Sequence, residues 1–357
     1  MGDGYGIPHG KPIQDALIGR ISNSGFGYEY KPDSFFLAQK KWYEQNYQVD
    51  LNKEHILFSP TITTTISVII ENFSAEKDGI ITQPPVFMEF RDVIQKTKRT
   101  LIKNPLKLIE KQYQIDFQDL EEKAKLETTK ILIICNPHNP VGIVWTKEEL
   151  SQVVRICKEN NLLLISDEIH KDIILFNNQF TTALHFINDY EKIVVCTSEA
   201  KTFNLCGISD SMAIIPNEHI RKTTSNTFKK YNLGRTNALT RVALESAYSQ
   251  GQSWLKEVIS MIEENINSIE RALENSNIEL IKPEGTYQVW LDFRNVYNDS
   301  KEMFSHLTET AGIGLNAGHW FGREGALFMR MNVATANEKV IDAIKKIKNA
   351  VPNNGHN

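Results

Sequence analysis

The stretch Thr197-Ser198-Glu199-Ala200-Lys201-Thr202-Phe203-Asn204 decides how this chain is read. It follows the apolar run Ile193-Val194-Val195-Cys196, so Lys201 lies just past the end of a candidate strand. Upstream, Leu162-Leu163-Leu164-Ile165 runs into Ser166-Asp167-Glu168-Ile169-His170. Before that, Ile131-Leu132-Ile133-Ile134 leads to Asn136-Pro137-His138-Asn139-Pro140-Val141-Gly142. Three successive strands each release a polar group at the same end: an amide, a carboxylate and an amine. Open α/β sheets bind their ligands at those ends. Each residue alone has a plainer explanation. A loop lysine is usually solvated, an acid after a strand often caps a helix, and N-P-x-N-P marks a turn. In this order, on successive strand ends, they read as a site.

An amine that forms a Schiff base, with an acid that holds a pyridinium nitrogen, is what pyridoxal phosphate requires. The chain resembles the fold-type I pyridoxal-phosphate enzymes, the class I/II aminotransferase superfamily. Within it the chain is most similar to the cystathionine β-lyase-type (C–S lyase) branch. The motifs are N-P-H-N-P-V-G-x-V-W (136–145), S-D-E-I-H (166–170), K-T-F-N (201–204), P-E-G-T-Y-x-x-W-L-D-F-R (283–294) and W-F-G (320–322). The likeness runs from about Phe26 to the C-terminus. It implies an α/β, aspartate aminotransferase-like fold of the pyridoxal-phosphate-dependent transferases. A large domain with a mainly parallel sheet is expected at residues 31–255. A smaller α+β domain is expected at 256–357, joined by residues 1–30.

The same resemblance assigns the site. Lys201 is the Schiff-base lysine and the base that removes the Cα proton. Asp167 faces the pyridine nitrogen and keeps it protonated. Asn139 bonds the cofactor's phenolic oxygen. His170 is either a second group near that oxygen or a helix-start histidine without chemical duty. Phosphate is expected at a helix N-terminus, on the backbone N–H groups of Ile62 and Thr63 with a threonine hydroxyl and Ser198. Phe87 stacks over the ring, and Arg330 grips the substrate α-carboxylate in a bidentate fork. Tyr28 resembles the tyrosine that reaches a neighbouring subunit's cofactor, which implies a homodimer with shared active sites. The chain also departs from the family pattern. Glu199-Ala200 replaces the usual proline- and serine-rich pair, and residues 1–11 hold no counterpart of the segment that lines the substrate pocket. Either the chain is truncated or that wall is built differently.

Composition agrees with a soluble enzyme of two domains. The chain has 357 residues, 41% hydrophobic and 24% charged, with net charge −4, ordinary for a globular protein and too long for one compact core. No basic cluster suits nucleic acid, no apolar run spans a bilayer, and the N-terminus lacks signal-peptide features. Cys135, Cys157, Cys196 and Cys206 show no metal-ligand spacing, and only Cys206 is expected near the site; a reducing cytoplasm fits. Strands are expected at 79–83, 100–103, 131–135, 162–167, 193–197 and 212–215. Helices are expected at 63–73, 88–96, 147–160 and 218–231. A long helical stretch (240–275) breaks near Gly251. Beyond it the pattern gives strands at 278–282, 287–293 and 327–332, with helices near 301–311 and from 336. A short polar tail, 352–357, closes the chain.

The leading expectation is β-elimination on cystathionine or a related cysteine S-conjugate, an amino-acid substrate, giving thiol, pyruvate and ammonia. The alternatives are a class I/II aminotransferase, a specialised pyridoxal-phosphate-dependent substitution or cyclisation enzyme, and a cofactor-binding regulator acting through protein contacts.

Overall fold

The computed structural model describes residues 6–23, 25–208 and 210–351. The tail expected at 352–357 and the first five residues lie outside them. Helices α1 (Lys11–Ser22) and α2 (Asp33–Tyr47) precede β1 (Ile56–Ser59) and α3 (Ile62–Phe73). Next come β2 (Gly79–Thr82), α4 (Met88–Lys96), β3 (Thr100–Lys103), the hairpin β4 (Lys107–Ile109) and β5 (Gln112–Gln114), and α5 (Phe117–Ala124). The central units are β6 (Thr129–Cys135), α6 (Lys147–Glu159), β7 (Leu163–Asp167), β8 (Ile193–Thr197), β9 (Ser211–Ile214) and α7 (Glu218–Lys230). Helices α8 (Ala238–Gln250) and α9 (Gln252–Leu273) lead to β10 (Glu279–Ile281), β11 (Gln288–Asp292), α10 (Ser300–Glu309), β12 (Asn316–Ala317), β13 (Phe328–Asn332) and α11 (Asn337–Ala350).

Seven strands form one sheet in the order β1-β9-β8-β7-β6-β2-β3. Strands β3, β2, β6, β7 and β8 pair in parallel, while β9 is antiparallel to both β8 and β1. The reversal of β9 has a local cause. A parallel neighbour needs a crossover, usually a helix, and the segment between β8 and β9 holds the lysine loop instead. Apolar residues of one strand alternate between two cores: Leu132 and Ile134 face one layer, Ile131 and Ile133 the other. A second sheet, β10-β11-β13-β12, is antiparallel and packs with α9 and α11 around a third core.

The elements expected from sequence lie within two residues of their observed bounds. Helices α1, α2 and α5 and strands β1, β4, β5 and β12 were not foreseen. In α2 the buried set Phe35, Ala38, Gln39, Trp42 and Tyr43 has helical spacing. It is built on aromatic residues and interrupted by Gln39, whose buried Nε2 donates to Tyr248 Oη at 3.2 Å. Helix α1 packs on α8, and its Ile13 enters the large-sheet core. Just before it, Ile7 packs on the core of the small sheet. Thr146 caps α6 in a reciprocal capping box with Glu149. Among the described residues no helix is long and apolar enough to cross a membrane.

Candidate active site

Parallel pairing sets Cys135 beside Asp167, and Asp167 beside Cys196, so the ends of β6, β7 and β8 lie in one row. The loops they release enclose a cavity of about 340 Å³, a size suited to a small ligand. Ile62, Thr63, Phe87, Asn139, Asp167, His170 and Lys201 all line it. These residues come from five segments scattered over 140 positions of sequence.

The lysine loop is held by the residues after Lys201. Phe203 is fully buried, edge-on to Trp42 and stacked on Trp254. Thr202 Oγ1 donates to Asp172 Oδ2 at 2.7 Å, and Asn204 Nδ2 donates to the Ile7 carbonyl at 2.9 Å. The break between α8 and α9 serves this loop: a Cβ on Gly251 would stand 2.4 Å from Phe203 Cε1. In K-T-F-N the lysine therefore reaches the cavity while its three successors anchor it.

The two asparagines of N-P-H-N-P have different duties. Asn136 is fully buried and structural, accepting from Trp145 N at 3.2 Å and donating to Thr181 O at 3.0 Å. Asn139 lines the cavity, and its Oδ1 accepts from Arg330 Nη1 at 3.0 Å. Gly142, at φ +78°, brings this loop onto P-E-G-T-Y. Its carbonyl accepts from Glu284 N and Gly285 N, and a Cβ there would meet Pro283 at 2.4 Å.

The donor set fits pyridoxal phosphate. Asp167 is 4% exposed and burial pushes its carboxyl up to about 7, an effect the Ile169 N–H and Lys201 only partly offset. A buried acid of this kind ionises when a cation faces it, which is what a pyridinium nitrogen provides. At the opposite wall the N-terminus of α3 lines the cavity. Thr61 Oγ1 caps Thr64 N at 3.1 Å, while Ile62 and Thr63 occupy the first turn, whose N–H groups lack intrahelical acceptors.

Three expected residues are not in the cavity wall. Ser198 donates its Oγ to Asp210 O at 2.7 Å. Arg330, 4% exposed, stands behind Asn139, with Nη2 on Asn316 Oδ1 at 3.0 Å and its guanidinium 4.9 Å from the Phe321 ring. Tyr28 is 87% exposed and lies against the Arg235 guanidinium, outside its own chain's cavity.

Several groups of the site carry no sequence signal. Glu89 and Gln288 line the cavity, the latter at an open position of P-E-G-T-Y-x-x-W. Cys206 was expected to be the only cysteine near the site, yet Cys135 lines the cavity too, because its strand end abuts Asp167. Behind the lysine loop lies a buried charged cluster. Lys171 Nζ is 3.0 Å from Asp172 and 3.7 Å from Glu199. Burial opposes the Lys171 charge, but Asp172, Tyr43 and Glu199 together hold its pKa above the usual lysine range. Asp172 also accepts from Trp42 Nε1 at 2.9 Å and from the Tyr47 hydroxyl. Burial raises the Asp172 pKa, yet Lys171 and these donors bring it below the usual range. Glu199, the departure from the family pattern before the lysine, is thus the second and more distant carboxylate beside Lys171, and burial holds its pKa above the usual range despite that lysine. Glu168 is likewise structural, accepting from Ser166 Oγ, Thr182 Oγ1 and Ala183 N.

The family model of aminotransferase class I and II matches residues 29–347. Cystathionine β-lyase PatB of Bacillus subtilis is 33% identical over 342 residues, covering 95% of this chain and 88% of that protein. Cystalysin of Treponema denticola, solved with pyridoxal 5'-phosphate, superposes with a TM-score of 0.94 at 28% identity, over 98% of this chain and 89% of that one. A pyridoxal-phosphate-bound C–S lyase of Staphylococcus hominis gives 0.92 at 29% identity, over 98% and 87%.

Proposed function

The chain belongs to the class I and II aminotransferase family, and from that premise we propose that this pyridoxal-phosphate-dependent enzyme is a C–S β-lyase. It cleaves cystathionine or a related cysteine S-conjugate to a thiol, pyruvate and ammonia. The observation that carries this reading is the 33% identity to a cystathionine β-lyase along 95% of the chain, joined to a cavity holding lysine, aspartate and asparagine.

Lys201, Asp167, Asn139, His170, Phe87, the first turn of α3 and Ser198 would hold the cofactor. Bound there, it supplies an electron sink for the pair left on Cα. Lys201 Nζ takes the Cα proton as general base. The Asp167 carboxylate would ionise against the ring nitrogen and would keep that nitrogen protonated. Arg330 fixes the substrate through its α-carboxylate, and its bond to Asn139 ties substrate orientation to cofactor orientation. The Cβ–S bond then breaks with its electron pair leaving on sulfur, which departs as a thiol after protonation. The aminoacrylate hydrolyses to pyruvate and ammonia.

Incubation with cystathionine and simple S-alkylcysteines is expected to release thiol and pyruvate in equal amounts without any added keto acid. The family model's own description favours a second reading, an aminotransferase. That reading gains if amino-group transfer depends on a keto acid and no pyruvate forms across the panel.

The working unit in this proposal is a homodimer with shared sites, in the cytoplasm, where four unbridged cysteines are at home. The exposure of Tyr28 supports an assignment in trans. Tyr28→Ala and Lys201→Ala parents, each inactive, should regain activity when their subunits exchange. About half of the dimers are then mixed, each with one intact site, so about a quarter of sites recover. A monomer in solution, or no recovery after demonstrated exchange, rules the shared site out.

A further inference from the structure

Two polar groups of the cavity have no part in the chemistry above. Glu89, in the first turn of α4, lines the cavity at an exposed position, and its carboxylate has no hydrogen bond or ion pair among the described residues. Gln288 is 2% exposed and lines the same cavity, and its Oε1 accepts no hydrogen bond among them. For Gln288, a buried acceptor without a donor is costly, whereas the exposed Glu89 carboxylate keeps its hydration until a ligand enters. Strand β11 sets Gln288 opposite Asn332, on the same face as Arg330, and Glu89 lines the same cavity as Gln288, so one ligand can meet all three. The Glu89 charge reaches the reacting groups, because it is one of those that push Asp167 upward.

With the α-carboxylate on Arg330 and the α-amine at Lys201, the S-substituent remains to meet Glu89 and Gln288. Both are acceptors, and one is an anion. We propose that Glu89 is a specificity-determining residue that selects cysteine S-conjugates whose thiol portion ends in an amine, with Gln288 as its second acceptor. The proposal rests on the C–S lyase reading. An acid in a helix's first turn also favours the helix dipole, but that role leaves substrate preference unchanged.

Thiol release is measured with S-(2-aminoethyl)-, S-propyl- and S-carboxymethylcysteine, which have similar reach and differ in terminal charge. The aminoethyl conjugate is expected to exceed the propyl one in kcat/KM by roughly tenfold, through KM, with carboxymethyl slowest. Glu89→Gln brings the aminoethyl-to-propyl ratio to within about twofold, and Gln288→Leu moves it the same way. Calorimetric binding of L-lysine against L-norleucine to the holoenzyme, neither of which bears a β-leaving group, gives the same order in wild type and loses it in Glu89→Gln. Equal rates for the aminoethyl and propyl conjugates, or a preference that survives Glu89→Gln, overturn the proposal. No thiol from any conjugate, with L-lysine still preferred over L-norleucine, overturns the lyase reading and leaves the Glu89 assignment standing.

Discussion

Lys201→Ala is expected to lower kcat/KM for thiol release by roughly four orders of magnitude, the upper range for loss of a positioned general base. The loss should fall on chemistry rather than folding, because the loop's anchors are Thr202, Phe203 and Asn204. Borohydride reduction of the holoenzyme followed by peptide mapping should place the covalent label on Lys201. Lys171 is the instructive competitor, since it follows S-D-E-I-H directly. It is 1% exposed, ion-paired to Asp172 and absent from the cavity wall, whereas Lys201 lines it. A label on any lysine other than Lys201 would refute the assignment.

The second large effect belongs to Asp167. Asp167→Ala should reduce turnover by about two to three orders of magnitude, the scale of removing a preorganised electrostatic group, with a smaller loss of cofactor affinity. Stability gives an independent readout. Burial pushes Asp167 from 3.8 up to about 7 in the cofactor-free protein. A raised carboxylate pKa means that folding favours the protonated form. Its stabilisation is complete below pH 3.8 and is lost as pH rises through about 7. The full difference is on the order of 4 kcal/mol. The cofactor-free melting temperature should therefore fall across that window, and Asp167→Asn should make the fall shallower. Glu168, also pushed up to about 7 by burial, supplies the remaining slope. Cofactor binding should restore melting temperature most at the alkaline end, where a cation facing the ionised Asp167 matters most. A wild-type profile with no fall, or one that Asp167→Asn leaves unchanged, would contradict the buried-acid account.

What could be read from sequence has a common physical character. Strand periodicity, helix caps and the residue types at strand ends are local, so Ile193–Thr197 and the capping box at Thr146 follow from short windows of chain. Lys201, Asp167 and Asn139 were legible because parallel strands bring their C-terminal ends together whatever the details of packing. Other features depend on groups far apart in the chain. Glu89 faces the cavity only because α4 starts beside the ends of β6 and β7, and no local pattern sets it apart from a solvated helix-start acid. Glu199 looked like a plain departure from a motif until tertiary contact placed Lys171 beside it, and a buried charge is tolerated only with such a partner. Sequence by itself determined the order of the central strand and helix units and the identity of the central chemical groups, because each is written in neighbouring residues. Tertiary structure alone decided that Cys135, Glu89 and Gln288 line the cavity, that Glu199 meets Lys171 behind it, and that the Gln288 acceptor is buried without a donor, because burial and hydrogen-bond satisfaction are properties of the packed chain.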